Sequence, residues 1–253
     1  MISTVILTKN NSQTIRKCLA SVIWSDEIVI IDDFSSDDYL KKISDFKIKV
    51  FQRHLDMDFA SQRNFGLQKA KGDWILFLDS DEVLSTELKD EIKAIAQNGA
   101  SAKDYDGYLI IRKDYFNGRW LNHGETGNIK LLRLARKGCG LWVRKVHEYW
   151  NIKGNLGELK SPIYHYPHQT IQEFLYDINI YSTIHASELK REGRKANFFT
   201  IFIYPTAKFI QNYIIKLGFM DTTSGFIVSM MMSFHSFLSQ GKLWQIQNTQ
   251  KEV

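Results

Sequence analysis

Short apolar, β-branched runs alternate with helix-patterned stretches through the first half of this chain, and few architectures accept that alternation. The runs are Thr4 to Leu7, Glu27 to Ile31, Ile48 to Phe51 and Trp74 to Leu78, with helical patterns at Ser12 to Val22 and Ala60 to Ala70. This order predicts βαβ units around a mostly parallel sheet flanked by helices, an α/β class. In such sheets ligands sit beyond the carboxyl ends of the strands, where loops and helix N-termini leave a crevice. The residues just after each strand therefore carry the functional signal.

Three of those strand ends are unusually polar: Thr8-Lys9-Asn10-Asn11, Asp32-Asp33-Phe34-Ser35-Ser36-Asp37 and Asp79-Ser80-Asp81-Glu82. They are expected to converge on one rim. From Asp106 to about Tyr166 the pattern shifts to shorter β-like segments, as in Gly107 to Ile111 and Ile129 to Leu134, which suggests antiparallel additions to the sheet. From Thr170 onward the pattern is helical. The expected division is residues 1–167 as one domain and 168–253 as a helical extension.

Composition narrows the class. At 253 residues the chain can bury one sizeable core. Its two cysteines, Cys18 and Cys139, match no zinc or redox spacing and read as buried free thiols, which suits a reducing compartment. The N-terminus opens directly into the strand-like run Ile2 to Leu7 with no signal-peptide pattern, so the expected location is the cytoplasm, at the inner face of the cytoplasmic membrane. A formal charge of +5 suits an anionic partner. The basic residues do not interleave with aromatics in a nucleic-acid motif, and nucleic acid is not an expected partner.

The stretch Gly72-Asp73-Trp74-Ile75-Leu76-Phe77-Leu78-Asp79-Ser80-Asp81-Glu82 runs a buried-looking strand straight into a carboxylate cluster. Paired carboxylates at a strand end offer hard oxygen ligands to Mg²⁺ or Mn²⁺, and such a cation can bridge to the phosphates of a nucleotide. The competing reading is an acidic helix start, with Ser80 or Asp81 as its cap.

The ordered set Thr8-Lys9-Asn10, Asp32-Asp33-Phe34-Ser35, Arg63-Asn64-Phe65-Gly66 and Gly72-Asp73 leading to Asp79-Ser80-Asp81 resembles glycosyltransferase family 2, whose fold is GT-A. The resemblance implies a nucleoside-diphosphate sugar donor, a UDP-sugar in the first instance. It further implies that Asp33 bonds the nucleobase, that Thr8 and Asn10 line the same pocket, that Asp79 faces ribose and metal, and that Asp81 ligates the metal. Arg63 would approach the base or diphosphate, with a solvated helical arginine as the alternative. A glycine usually follows the second-strand Asp pair in this family, and Phe34 stands there instead.

Inverting sugar transfer needs a group to take the acceptor hydroxyl proton. The Glu-Asp pair that many members use is not found after Asp106. Instead, Trp142-Val143-Arg144-Lys145-Val146-His147-Glu148 resembles the Val-His-Glu motif of a branch that includes lipopolysaccharide-core glucosyltransferases. Glu148 is then the candidate base, and His147 a metal ligand, a diphosphate contact or the residue that orients Glu148, with a hydrogen-bonded structural histidine as the alternative. Lys130, Arg133, Arg144 and Lys145 are candidates to offset phosphate charge, with a solvated basic face as the alternative for most. His165, in Tyr164-His165-Tyr166-Pro167-His168, could complete a metal shell or be a structural histidine.

In the C-terminal third, Ile171 to Leu189 reads as an amphipathic helix, Phe198 to Leu217 is aromatic-rich but interrupted by Pro205, Lys208, Gln211 and Asn212, and Gly225 to Leu238 is apolar but short. These segments suit either peripheral membrane contact, with Lys208, Lys216 and Lys242 facing anionic headgroups, or a homo-oligomer. The resemblance, including Gly218-Phe219-Met220-Asp221, favours membrane proximity. A branch glycine is expected after Asp221, and Thr222 stands there.

The reading is a metal-dependent, inverting glycosyltransferase acting on a glycan or lipid-linked acceptor of the cell envelope. The alternatives are a nucleotidyltransferase, whose glycine- and lysine-rich phosphate loop is missing from the sequence, and a non-catalytic nucleotide-sugar or polysaccharide-binding protein of the same fold.

Overall fold

The computed structural model describes residues 1–97, 105–145, 148–167 and 170–249. The chain divides into two compact units, one of Met1–Lys113 with Ile129–Tyr166 and one of Asp114–Asn128 with Pro167–Val253. The segment Asp114–Asn128 thus groups with the C-terminal helices although it lies within the sequence range of the first domain.

In the first unit the expected alternation is realised as β1 (Ile2–Thr8), α1 (Ile15–Val22), β2 (Glu27–Asp32), α2 (Tyr39–Lys42), β3 (Lys49–Gln52), α3 (Phe59–Lys69) and β4 (Trp74–Asp79). β2 and β4 flank β1 in parallel, and β3 extends the parallel part beyond β2. Chain order therefore reverses at β1. The register sets Thr8 opposite Asp32 and Leu7 opposite Asp79, so the three polar strand ends meet as expected.

β5 (Glu82–Leu84) and α4 (Thr86–Gln97) follow, then β6 (Gly107–Phe116), β7 (Arg119–Trp120), β8 (Ile129–Arg136), β9 (Gly140–Val143), β10 (Tyr149–Ile152), β11 (Leu156–Glu158) and β12 (Ile163–His165). The sheet runs β3-β2-β1-β4-β8-β6-β12-β5. β8 joins β4 antiparallel and β6 joins β8 antiparallel, as the second sequence pattern suggested. The acidic helix start is not formed: β5 intervenes, and it is the Ser85 hydroxyl that accepts from the Leu88 amide, 3.2 Å, at the head of α4. Glu82-Val83-Leu84 pairs with β12 instead, which draws those residues into extended backbone.

The central strands are buried on both faces. Ile6, Ile30, Leu76 and Leu78 pack with Leu19 of α1 and Leu88 of α4, while Val5, Ile31, Ile75 and Phe77 pack with α3 and the β9–β10 tryptophans Trp142 and Trp150. A Cβ on Gly66 would lie 2.5 Å from Val5 Cγ1, so glycine there is what lets α3 lie close on β1. One residue pair along, Asn64 donates to the Trp142 carbonyl at 2.8 Å and accepts from its amide at 2.9 Å, fixing β9 to α3. The Arg-Asn-x-Gly segment is therefore a packing device as well as a source of a charged side chain. Cys18 is buried and Cys139 part-buried, and both are free thiols.

The second unit contains α5 (Ile171–Arg191), α6 (Phe198–Ile210), a π-helical turn (Gln211–Ile215), a 3-10 turn (Gly218–Asp221) and α7 (Thr222–Thr249). Thr170 caps α5 by accepting from the Glu173 amide, and Asn197 with Thr200 forms a capping box at α6. α7 continues well past Leu238, where the apolar run stops, because Ser239 and Leu243 are still buried against the other helices. Two acids tie Asp114–Asn128 to this unit. Asp221 accepts from the Asn122 and His123 amides at 3.0 and 2.8 Å and lies 3.0 Å from His123 Nδ1. Glu125 pairs with Lys208 at 2.7 Å.

A Cβ on Gly225 would fall 1.9 Å from the Gly218 carbonyl, so α7 approaches the 3-10 turn at backbone contact. At that junction Thr222 has φ 56 and ψ −138, a conformation essentially reserved for glycine. Thr222, standing where the resemblance leads one to expect a glycine, thus holds a glycine-type backbone conformation under strain. Thr222→Gly is expected to raise stability by about 1 kcal/mol, read as a Tm increase of about 2–4 °C, with loss of the Arg119–Thr222 hydrogen bond setting the upper limit. A lowered Tm would show the strain is not there.

Candidate active site

The rim is built from the strand ends upward. Thr8 closes β1, buried, with a hydroxyl that has no hydrogen-bond partner among the described residues. Asn10 turns the chain with φ 48, and its side-chain carbonyl accepts from the Ser36 amide at 2.7 Å. This clamps the loop after β1 to the loop after β2. Asp33 is buried beside it; Lys9 Nζ approaches to 2.6 Å and the Leu55 amide donates at 3.0 Å. Phe34 adopts φ 48, so the turn after β2 retains glycine-like geometry despite the substitution, and the ring stacks on His54 with centroids 4.0 Å apart.

At the end of β4 lies a charge cluster. Asp79 receives Arg63 from α3 on Oδ1 at 2.9 Å and Arg133 from β8 on Oδ2 at 2.8 Å. Arg133 also donates to Glu82 at 2.9 Å, and Glu82 accepts from the Asp79 amide at 2.9 Å. Arg63 reaches across with Nε to Glu148 Oε1 at 3.0 Å, and its guanidinium carbon lies 4.7 Å from the centre of the Trp142 ring. Asp81, two residues after Asp79, has His165 Nε2 at 3.4 Å, because the β5–β12 pairing sets His165 opposite Glu82.

Burial by itself pushes the Asp79 carboxyl up, but the guanidiniums of Arg133 and Arg63 override it and hold it far below the usual carboxylate range. For Glu82, wholly buried, desolvation dominates over Arg133 and the neighbouring Asp79 charge adds to it, so its pKa is raised. Burial also weighs against the Arg133 charge, and Asp79 and Glu82 more than restore it. The Cys18 thiol beneath this strand end is pushed well up by burial and by the nearby carboxylates, which keeps it a protonated, inert thiol.

Of the residues singled out in the sequence, Arg63, Asp79 and Glu148 are in direct contact as one network, Thr8, Asn10 and Asp33 share the adjoining strand ends, and Asp81 pairs with His165. His147 lies outside the described residues. Among the basic candidates Arg133 joins the network, Lys130 is ion-paired to Glu158 at 2.5 Å, and Arg144 and Lys145 are exposed. Among the described residues no group of three or more His, Cys, Asp or Glu side chains is placed to hold a metal ion. The sequence by itself gives no part to Glu82 or Asn64, and in it Arg133 stands level with three surface cations. The available signal for Arg133 was an arginine between Leu132 and Leu134 in an apolar strand, which demands a buried acid as partner.

The sequence profile described as "Glycosyl transferase family 2" matches residues 3–147, more than half of the chain. The chain belongs to glycosyl transferase family 2. This glycosyltransferase is 25% identical over 252 residues to the lipopolysaccharide core biosynthesis glycosyltransferase LpsC of Rhizobium meliloti, covering 96% of this chain and 92% of that one. It is 30% identical over 149 residues, 55% of this chain and 58% of the other, to an Escherichia coli enzyme, the UDP-Glc:alpha-D-GlcNAc-diphosphoundecaprenol beta-1,3-glucosyltransferase WfgD. Among solved structures, residues 1–349 of S. aureus TarS in complex with UDP-GlcNAc superpose with a TM-score of 0.50 at 14% identity, over 99% of this chain and 91% of that one, a likeness of fold.

Removing one member of a buried charge network leaves the others uncompensated. Arg133→Met is expected to cost this glycosyltransferase about 3–5 kcal/mol in urea unfolding, because Asp79 and Glu82 lose a shared cation. The depressed Asp79 carboxyl contributes stability that is complete above about pH 4 and is lost as pH falls toward its folded value, while the raised Glu82 contributes in the opposite sense, its share being lost as pH rises above about 4. Asp79→Asn should therefore flatten the fall in stability below about pH 4 relative to the parent. An unchanged acid limb would contradict the assigned ion pairs.

Proposed function

We propose that this glycosyltransferase moves a sugar, with inversion at its anomeric carbon, from a nucleoside-diphosphate sugar to a hydroxyl of a cell-envelope glycan or lipid-linked acceptor, with Mn²⁺ or Mg²⁺ bound beside Asp81. The observation that carries the reading is the Arg63 bridge, which holds the strand-end carboxylate Asp79 and the carboxylate Glu148 on one guanidinium. The donor pocket and the candidate base are thereby parts of one construction.

The name of LpsC supports the cell-envelope assignment, and the name of WfgD, with UDP-glucose and a diphosphoundecaprenol-linked sugar in it, supports a UDP-sugar and a lipid-linked acceptor. Thr8, Asn10 and Asp33 are proposed to line the nucleotide pocket, with Asp33 toward the base and the Thr8 hydroxyl, unpartnered among the described residues, available to the donor.

The residues present fit a cation of the kind that keeps phosphate and water as most of its ligands. Asp81 would hold it, with His165 3.4 Å from that carboxylate as the neighbouring imidazole. Asp79, also a candidate ligand, has both oxygens on arginines, so it would act chiefly by fixing the turn that carries Asp81. When bound, the cation offsets the charge of the departing diphosphate.

Glu148 is the proposed base. Arg63 takes its Oε1, and Oε2, without a partner among the described residues, is the atom that receives the acceptor proton. The acceptor oxygen then bonds to the anomeric carbon as the bond to the diphosphate breaks on the opposite face. His147, adjacent in sequence, is proposed to assist at the diphosphate or to orient Glu148.

Binding and turnover of a panel of nucleoside-diphosphate sugars, with and without Mn²⁺, separate these roles. Asp81→Ala should abolish Mn²⁺-dependent donor binding. Glu148→Gln should bind donor normally and lose about 10²- to 10⁴-fold in kcat. Donor binding indifferent to Mn²⁺ and to Asp81→Ala would sink the metal assignment, and full turnover by Glu148→Gln would sink the base.

A further inference from the structure

The second unit carries an apolar surface that its own fold leaves uncovered. No residue of α6 is buried, and Phe198, Phe199, Phe202 and Ile215 are 76%, 69%, 65% and 70% exposed. Phe199, Ile203, Ile210 and Ile214 fall at helical spacing, so the exposed residues continue as a stripe from α6 through the π-helical turn. A contiguous surface of this kind marks an interaction site.

Its charge identifies the occupant. The segment from Lys190 to Lys216 contains six Lys or Arg and one Asp or Glu, so the whole of the chain's formal excess of +5 resides there. Arg194 and Lys195 lie exposed in the loop leading into the aromatic helix, Arg191 at the end of α5 is exposed but ion-paired to Glu188 at 3.7 Å, and Lys216 lies exposed at the far end of the stripe. Of the three lysines anticipated from the sequence, Lys208 is ion-paired to Glu125 and Lys242 is hydrogen-bonded to Asn179, leaving Lys216. From Asn197 to Thr249 the sole carboxylate is Asp221, which is buried on His123.

A twofold contact between copies through this face would set the same cations against one another. An anionic lipid surface accepts both the aromatics and the cations. Among the described residues no single helix is long and apolar enough to cross a membrane, and the one helix pair that is apolar enough jointly turns through 71° at its break. That geometry suits a helix lying in the headgroup region.

We propose that α6 and the following turn dock this protein on an anionic phospholipid surface, the Phe198–Ile215 stripe entering the headgroup layer and Arg194, Lys195 and Lys216 meeting the lipid charge. This goes beyond the transferase reading and does not rest on it.

The full chain is tested by co-sedimentation with vesicles of phosphatidylcholine alone and of phosphatidylcholine mixed equally with phosphatidylglycerol. Association with the anionic vesicles, weakened by salt, is expected. Phe198→Ser/Phe199→Ser/Phe202→Ser should weaken it at least about tenfold, and Arg194→Gln/Lys195→Gln about tenfold or more, at about fivefold per cation. All these side chains are exposed, so circular dichroism should match the parent; if the serine variant fails to fold, the charge variant alone decides. No association with anionic vesicles, or association that neither variant weakens, overturns the proposal. So does a parent dimer in sedimentation equilibrium that the serine variant dissociates while vesicles are ignored, which would assign the face to a second copy.

Discussion

The Asp79 carboxylate, divided between Arg63 and Arg133, is the interaction on which the rest of the first unit turns. It sits at the end of β4, where the parallel part of the sheet gives way to the antiparallel part. One arginine comes from α3 on a face of the sheet and the other from β8, the next strand across. Charges taken this far out of water must be paired or they cost several kcal/mol each. Strand, helix and antiparallel addition are therefore locked in one relative placement, and the turn bearing Ser80 and Asp81 is held at both of its ends.

The surrounding packing makes that pairing geometrically available. Gly66 brings α3 against Val5, Asn64 fixes β9 by its backbone, and Trp142, so held, lies under the Arg63 guanidinium. Glu148 arrives at the same guanidinium from the start of β10. Three carboxylates and two guanidiniums result, with Arg112 3.8 Å from Glu82 as a third cation at the edge. The second unit uses the same physics on a smaller scale, with buried Asp221 gathering two backbone amides and an imidazole so that Asp114–Asn128 can join its helices.

Two substitutions show how tightly backbone shape is held. Phe34 and Thr222 stand where glycines are expected, and both adopt positive φ. The folds around them dictate the turn, and the side chains accept the strain. Both departures are visible in the sequence but their outcome is not, since whether a turn bends to the residue or the residue to the turn depends on contacts made elsewhere. The acidic helix start after Asp79 failed for a similar reason: Glu82-Val83-Leu84 has a helix's acidic opening but finds a strand partner in β12, some eighty residues away.

The alternation of strands and helices, the polar strand ends, the carboxylates Asp79, Asp81 and Glu148 and the aromatic C-terminal third were legible in the sequence, because periodicity and local composition are properties of neighbouring residues. Which cation neutralises which carboxylate was not: Arg133 reads like Lys130 in sequence, and only β8 lying beside β4 makes one a buried partner and the other a surface pair with Glu158. The same holds for the C-terminal helices. Their apolar content is written in the residues, but which of those residues are covered by α5 and α7 and which remain exposed on α6 is a matter of packing between segments distant in the chain, and tertiary structure alone decided it.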